Sequence, residues 1–254
     1  MALYVYGLVD RGRTLPAPLE GVAGAGVRAV DTAPLTALVS EIGEERELGV
    51  EDVAAHTSVL EAAFAGGPVL PFRFATVVTD EGSLRTDLAP RLDGYSTHLR
   101  RLAGRVELEV RAGYDEGLVL RRILDDDPQL RDLSRAVGQG APMEDRLELG
   151  ELVAARLDER KAADAGALDE RLSRVATAVS AMDPGEAGVL RAAYLVAEPR
   201  VEEFVAAGRE VGETVPWMSV DIAGPVPPYS FADPPEWSVD ERQIWMEEAK
   251  WTSR

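Results

Sequence analysis

The chain contains no cysteine, which excludes disulfides, thiolate metal ligands and a cysteine nucleophile. Histidine is nearly as scarce. His56 and His98 stand far apart, and neither has a second histidine at i+3 or i+4. A zinc site or a serine–histidine dyad would need a partner that this pattern does not supply. Positive charge is also in deficit: 27 Lys and Arg face 45 Asp and Glu, a formal net charge of −18. Repulsion of that size argues against nucleic acid or an anionic membrane surface as partner. It favours solubility and resistance to self-association. No apolar run approaches the roughly 20 residues of a bilayer-spanning helix. The opening MALYVYGLVDRGR has no basic stretch ahead of its short apolar run, so it does not read as a signal peptide. Together these absences predict a cytoplasmic protein.

What remains is an ordinary globular composition, 46% hydrophobic over 254 residues, enough for one large domain or two small ones. Ala2–Val9 is a β-rich apolar run closed by Asp-Arg-Gly and reads as a buried strand. After a Pro/Gly loop, VRAVDTAPLTALVSEI reads as a hairpin hinged at Asp31–Pro34. Glu51–Ala65 has helical spacing and stops at Gly66-Gly67. VLPFRFATVV (Val69–Val78) reads as a strand with Leu70, Phe72 and Phe74 on one face. A helical stretch from Glu81 should be kinked or divided by Pro90, its second half carrying Leu92, Tyr95, Leu99 and Leu102. This order suits an antiparallel sheet covered by helices, of the ferredoxin-like kind.

A second unit starts near Arg105, where VELEVRA alternates apolar and charged residues as a strand with one wet face does. Helices should fill most of Glu116–Met182, with Leu149, Val153 and Leu157 forming one stripe and Leu168, Leu172, Val175, Val179 and Met182 another. Two charged helices folded on each other would bury both stripes. VLRAAYLVA (Val189–Ala197), a short helix at Glu202–Arg209 and TVPWMSVDIAG (Thr214–Gly224) complete a β, α, β, α, β order. The expected fold class is α+β: domains at 1–103 and 104–231, the second with a helical insertion at about 116–182, then a tail at 232–254. Ser238 and Glu241 have capping-box spacing and predict a short helix in that tail. Trp237, Trp245 and Trp251, three of the four tryptophans, fall in the last eighteen residues, as expected of a segment that docks.

The chemistry-bearing motifs are weak. Gly24-Ala25-Gly26-Val27-Arg28-Ala29 fits a dinucleotide fingerprint, but a Pro/Gly loop precedes it and β-alternation follows. A strand before and a helix after are what the pyrophosphate requires. Asp125-Asp126-Asp127 runs into Pro128 and suits a helix cap better than a hard-cation site. No nucleophile elbow or phosphate loop is present, so no catalytic, cofactor-binding or metal residue is assigned. Arg73, between Phe72 and Phe74, either pairs internally with a carboxylate or faces a partner.

One stretch is distinctive. GPVPPYSFADPPEW (Gly224–Trp237) holds five of the sixteen prolines. Proline lacks an N–H, so such a run directly after a strand ends pairing and turns the chain away. Pro225, Pro227 and Pro228 would make the turn, and Tyr229 and Phe231 would pack back onto the second domain.

Taken together, YVYGLV (Tyr4–Val9), VLPFRFATV (Val69–Val77), AAYLV (Ala192–Val196) and DIAGPVPPYSF (Asp221–Phe231) resemble the gas vesicle protein F/L family (GvpF/GvpL). The similarity runs in order from the first strand to Phe231. It implies two α/β domains of modified ferredoxin-like topology and a non-enzymatic accessory role in assembling gas vesicles. The resemblance further implies binding of the hydrophobic shell protein GvpA, with other vesicle accessory proteins as further partners, or a place as a minor vesicle component. No catalytic residue or cofactor comes with it. Three surfaces are candidates for the partner: the Phe72–Arg73–Phe74 segment, the helical hairpin from Met143 to Met182, and the tail with Trp245 and Trp251.

Overall fold

The first apolar run becomes the centre of a sheet. Strand β1 (Ala2–Asp10) is buried along its whole length except Asp10. The structure, a computed structural model, describes residues 1–16, 18–43 and 46–232. After a loop closed by a 3-10 turn at Val22–Gly24, β2 (Arg28–Asp31) and β3 (Leu35–Ile42) form the expected hairpin. Thr32 ties its hinge, donating both its N–H and its hydroxyl to the Leu35 carbonyl. Helix α1 (Val50–Phe64) lays Val59, Leu60 and Ala63 on the core. β4 (Val69–Pro71) and β5 (Val77–Val78) follow, and the sheet runs β2-β3-β1-β4 with β5 also on β1. Gly7 permits the close approach of β4 to β1: a Cβ there would stand 2.4 Å from the Leu70 carbonyl oxygen.

The sequence predicts one strand through Val78, and the structure breaks it. Pairing with β1 continues on either side, through Phe72 N–H to Tyr6 O (2.8 Å) and Val5 N–H to Thr76 O (2.9 Å). Between these bonds Arg73–Ala75 loops out, with Ala75 at φ +69. The expected single face of Leu70, Phe72 and Phe74 is therefore not formed. α2 (Glu81–Leu88) is capped by Asp80, which accepts the Ser83 N–H. Pro90 divides the segment as expected, sitting in a 3-10 turn before α3 (Leu92–Leu102), whose Tyr95, His98, Leu99 and Leu102 are buried.

A second, four-stranded sheet begins with β6 (Arg105–Tyr114). The insertion is three helices: α4 (Glu116–Asp126), α5 (Pro128–Gly138) and α6 (Met143–Ser173). Leu149, Val153 and Leu157 of α6 pack on Val119, Ile123 and Leu130 of α4 and α5. Further along, Leu168 and Leu172 are fully buried. The predicted hairpin to Met182 is corrected here. α6 is one helix of 31 residues ending at Ser173, and β7 (Ala178–Ala181) lies where the second stripe was expected to continue. Thr177 and Val179 are β-branched and their neighbours small, which suits a pleated strand. β8 (Gly188–Ala197), α7 (Val201–Thr214) and β9 (Met218–Val226) complete the sheet in the order β7-β8-β6-β9. Tyr194 on β8 and Phe204 on α7 meet at a 5.2 Å ring separation.

The fold is α+β with two antiparallel sheets. Its residues group into two units, Met1–Glu107 with the segment from Pro225 onward, and Leu108–Gly224.

Candidate functional site

In the first unit, the loop that carries Arg73 is held from beneath by a buried aromatic cluster. The Tyr4 hydroxyl lies 2.9 Å from His56 Nδ1 and accepts the Ala75 N–H at 3.1 Å. The backbone of Phe72 hydrogen-bonds the same imidazole. Burial is the main cause that lowers the His56 pKa to about 4, so the ring is neutral and Nδ1 can accept the Tyr4 proton. The Phe74 ring stands edge-on to His56 at 5.9 Å, and Phe72 contacts Tyr95 at 5.8 Å. Both phenylalanines are thus turned into the unit, while Arg73 is exposed between them.

Tyr6 does the same for a second loop. Its hydroxyl is 2.7 Å from Ser40 Oγ and accepts the Val22 N–H at 2.7 Å. A Cβ on Gly21 would sit 1.9 Å from that hydroxyl oxygen, so only glycine fits. Ala23, next in this loop, has φ +63 and Ala75 has φ +69. These are the two non-glycine residues at positive φ among those described, and each adjoins or is a residue whose N–H a buried tyrosine holds. Asp52, also buried, accepts from Gly49 N–H (2.9 Å), Ala23 N–H (3.3 Å) and Arg46 (3.0 Å). The Gly49 bond leads the causes that hold its pKa below the usual carboxylate range.

The proline-rich segment is a strap on this same unit. Pro225 lies within β9, which runs on to Val226, so the turn expected from Pro225 starts only at Pro227 and Pro228; Tyr229–Phe231 then form a 3-10 turn. The buried Glu107 carboxylate accepts the Ser230 N–H at 2.7 Å and the Ser230 hydroxyl at 2.8 Å. His98 Nε2 lies 2.6 Å from the Phe231 carbonyl oxygen. The Tyr229 ring packs against the cluster of Tyr4, Tyr6, Val59 and Leu60. This corrects the expectation that it seals the second domain. Its hydroxyl is buried without a hydrogen-bond partner, and burial, followed by the nearby Glu61 and Glu107 charges, raises its pKa. Sequence reasoning found the strap but missed Glu107 and His98, which clasp it.

In the second unit the corresponding hub is Asp164 on α6. Its Oδ2 accepts from the Tyr114 hydroxyl and from Trp217 Nε1, each at 2.9 Å, and lies 3.4 Å from Arg160 Nε. Arg160 and Arg122 lie over the Trp217 ring at 4.7 and 5.4 Å. Asp127 caps α5 through the Gln129 and Leu130 N–H groups, and Asp126 pairs with Arg122 and Arg160. The aspartate run is therefore a cap and an ion-pair anchor. The glycine motif at Gly24–Ala29 leads into β2, with no helix after it. Among the described residues no group of three His, Asp or Glu is placed to hold a metal ion. No described helix is long and apolar enough to cross a membrane. Trp245, Trp251 and the helix expected at Ser238–Glu241 lie outside the described residues.

The family described as gas vesicle synthesis protein GvpL/GvpF matches residues 2–233. Gas vesicle protein F of Streptomyces sp. (strain CB03234) is 37% identical over 92% of this chain and 100% of its own length. Gas vesicle protein L of the same strain is 30% identical over 84% and 79%. Among solved structures, the crystal structure of GvpF from Anabaena sp. PCC7120 superposes with a TM-score of 0.80 at 25% identity, covering 91% of this chain and 98% of that one. GvpF from Microcystis aeruginosa shares the fold with a TM-score of 0.74 at 23% identity, over 91% and 99%.

Proposed function

Because this chain belongs to the GvpL/GvpF family of gas vesicle synthesis proteins, we propose that it is a non-enzymatic factor of vesicle assembly. In this reading it binds the hydrophobic shell protein GvpA in the cytoplasm and limits its aggregation during nucleation. The observation that carries the reading is the likeness to a gas vesicle protein F along 92% of the chain. The physical chemistry fits. A subunit that polymerises through β-structure exposes strand edges and apolar faces before it assembles. A partner carrying a net charge of −18 can cover such surfaces and keep the pair dispersed. The polar clusters described above are taken up by loop anchoring, helix capping and the strap.

The test is co-expression with GvpA followed by pull-down and measurement of GvpA in the soluble fraction. Retention of soluble GvpA is expected. A folded chain that leaves GvpA insoluble and unbound rejects the proposal. Arg73, exposed between two inward-turned phenylalanines, is the first residue to reverse in charge once retention is seen.

A further inference from the structure

Sheet edges offer unpaired backbone groups to any passing strand, and proteins ordinarily block them with charge, proline, short length or a covering element. Apart from β7, the edge strands among the described residues are blocked, β5 by its length of only two residues. β2 is four residues long and carries Arg28 and Asp31, which pair with Glu81 at 2.7 Å and Arg11 at 2.8 Å. β4 is three residues long, ends at Pro71 and lies under α3. β9 contains Asp221, Gly224 at φ +123 and Pro225. β7 is as short as β2, four residues, but among the described residues it carries no charge, no proline and no ion pair. From Val175 to Met182 the sequence VATAVSAM carries no charge and no proline, in a chain where 28% of residues are charged. β8 is the element β7 pairs with, in register from Ala178 opposite Leu195 to Ala181 opposite Ala192. Exposure alternates along it, and Val179 is 41% exposed.

We infer that the outer edge of β7 is a strand-addition site, and that its occupant is an extended, uncharged, aliphatic strand of a partner polypeptide. Small side chains on both faces let an incoming backbone approach, main-chain bonds supply affinity, and alternate side chains supply selection. A charged strand would lose hydration against Ala178, Val179 and Ala181 with no counter-charge to meet. A second copy of this chain is disfavoured, because edge-to-edge pairing would bring two molecules of net charge −18 together. The pairing stands on the geometry of β7; only the naming of GvpA as the source of the strand rests on the proposed function.

Amide hydrogen exchange on the full chain tests it. The probe is an end-capped peptide of alternating valine and threonine with a lysine at each end. Exchange at Ala178–Ala181 is expected to slow by at least roughly tenfold with the peptide. The same peptide with a central proline should have no effect, nor should the first peptide on Val179→Lys, whose exposed side chain can be replaced without disturbing the core. No slowing in the wild type, equal slowing in Val179→Lys, or slowing at β2 or β9 instead overturns the inference. Slowing that depends on protein concentration without peptide assigns the edge to a second copy and likewise overturns it. If the peptide pairs but GvpA is not retained in co-expression, the proposed function fails while the strand-addition site stands. If Val179→Lys retains GvpA as well as the wild type does, the shell protein is not the occupant of this edge.

Discussion

At the scale of single residues, buried polar groups distinguish positions that anchor from positions that merely fill. His56 has a folded-state pKa of about 4 against an ordinary 6.5, so between these values the unfolded chain binds a proton that the folded chain refuses. Its contribution is complete above pH 6.5 and is lost as pH falls toward 4, a loss of up to about 3 kcal/mol. Urea denaturation at pH 7 and pH 5 should show this slope, and His56→Gln should flatten it. An unchanged slope in the variant would assign the acid sensitivity elsewhere. Tyr229 makes the complementary case. Its ring fills the first unit's core, but its hydroxyl is buried without a partner. Tyr229→Ala should cost about 2–4 kcal/mol, whereas Tyr229→Phe should be neutral or mildly stabilising, because it removes an unpaired polar atom. Similar losses in both variants would mean that the hydroxyl is bonded after all. The sequence identified Tyr229 as a packing residue from the prolines before it. It could not say which core receives the ring, since that depends on Glu107 and His98, more than 100 residues away along the chain.

At the scale of elements, local pattern was a good guide wherever one periodicity ruled. The run Ala2–Val9, the strand at VELEVRA and the β2–β3 hinge all appear where their sequences place them, although the wet face expected of VELEVRA is broken by Glu107, which is buried to hold the strap. The guide failed where two periodicities share the same residues. Val175, Val179 and Met182 fit a helical stripe, but the small and β-branched residues between them also suit a strand, and pairing of Ala178–Ala181 with β8 decides for the strand. It failed again at Phe72–Phe74, because the looped-out segment is held by the Tyr4 hydroxyl on another strand, which its own residues do not announce. The same long-range logic governs α6, which is held to the second unit's sheet through Asp164. Asp164→Ala would strand the Tyr114 hydroxyl and the Trp217 indole N–H and free Arg160 from its ring. A loss of about 2–4 kcal/mol is expected from two orphaned donors and a broken ion pair. Asp164→Asn, which keeps one acceptor oxygen, should lose less. Near-ultraviolet circular dichroism alongside chemical denaturation separates loosening of Trp217 from global unfolding.

At the scale of the whole molecule, the chain order and the order of completion differ. The first unit begins at Met1, but its core is closed by Tyr229, and its strap is clasped by Glu107 and His98. Residues near position 230 therefore finish a unit whose central strand is β1. Local folding cannot complete that unit, and loop closure over the intervening residues must come before the strap contributes. The described contacts of the strap lie at or before Ala232, which gives a sharp comparison between two truncations. A chain ending at Ala232 keeps Tyr229, the Ser230 clasp and the Phe231 carbonyl, and serves as the reference. A chain ending at Val226 keeps β9 but loses all three, leaving the Glu107 carboxylate without its Ser230 donors and the first unit's core cluster without the Tyr229 ring. Its first unit should lose several kcal/mol, on the scale of a removed aromatic plus unmet buried polar groups. The loss should be read from exchange of the β1 amides, which report that unit alone. Equal β1 protection in the two truncations would show that the strap rests on a core already complete without it. Unequal protection would show that the proline-rich segment is a structural element of the first unit, which accounts for its stiffness, its aromatic residues and its position directly after a strand.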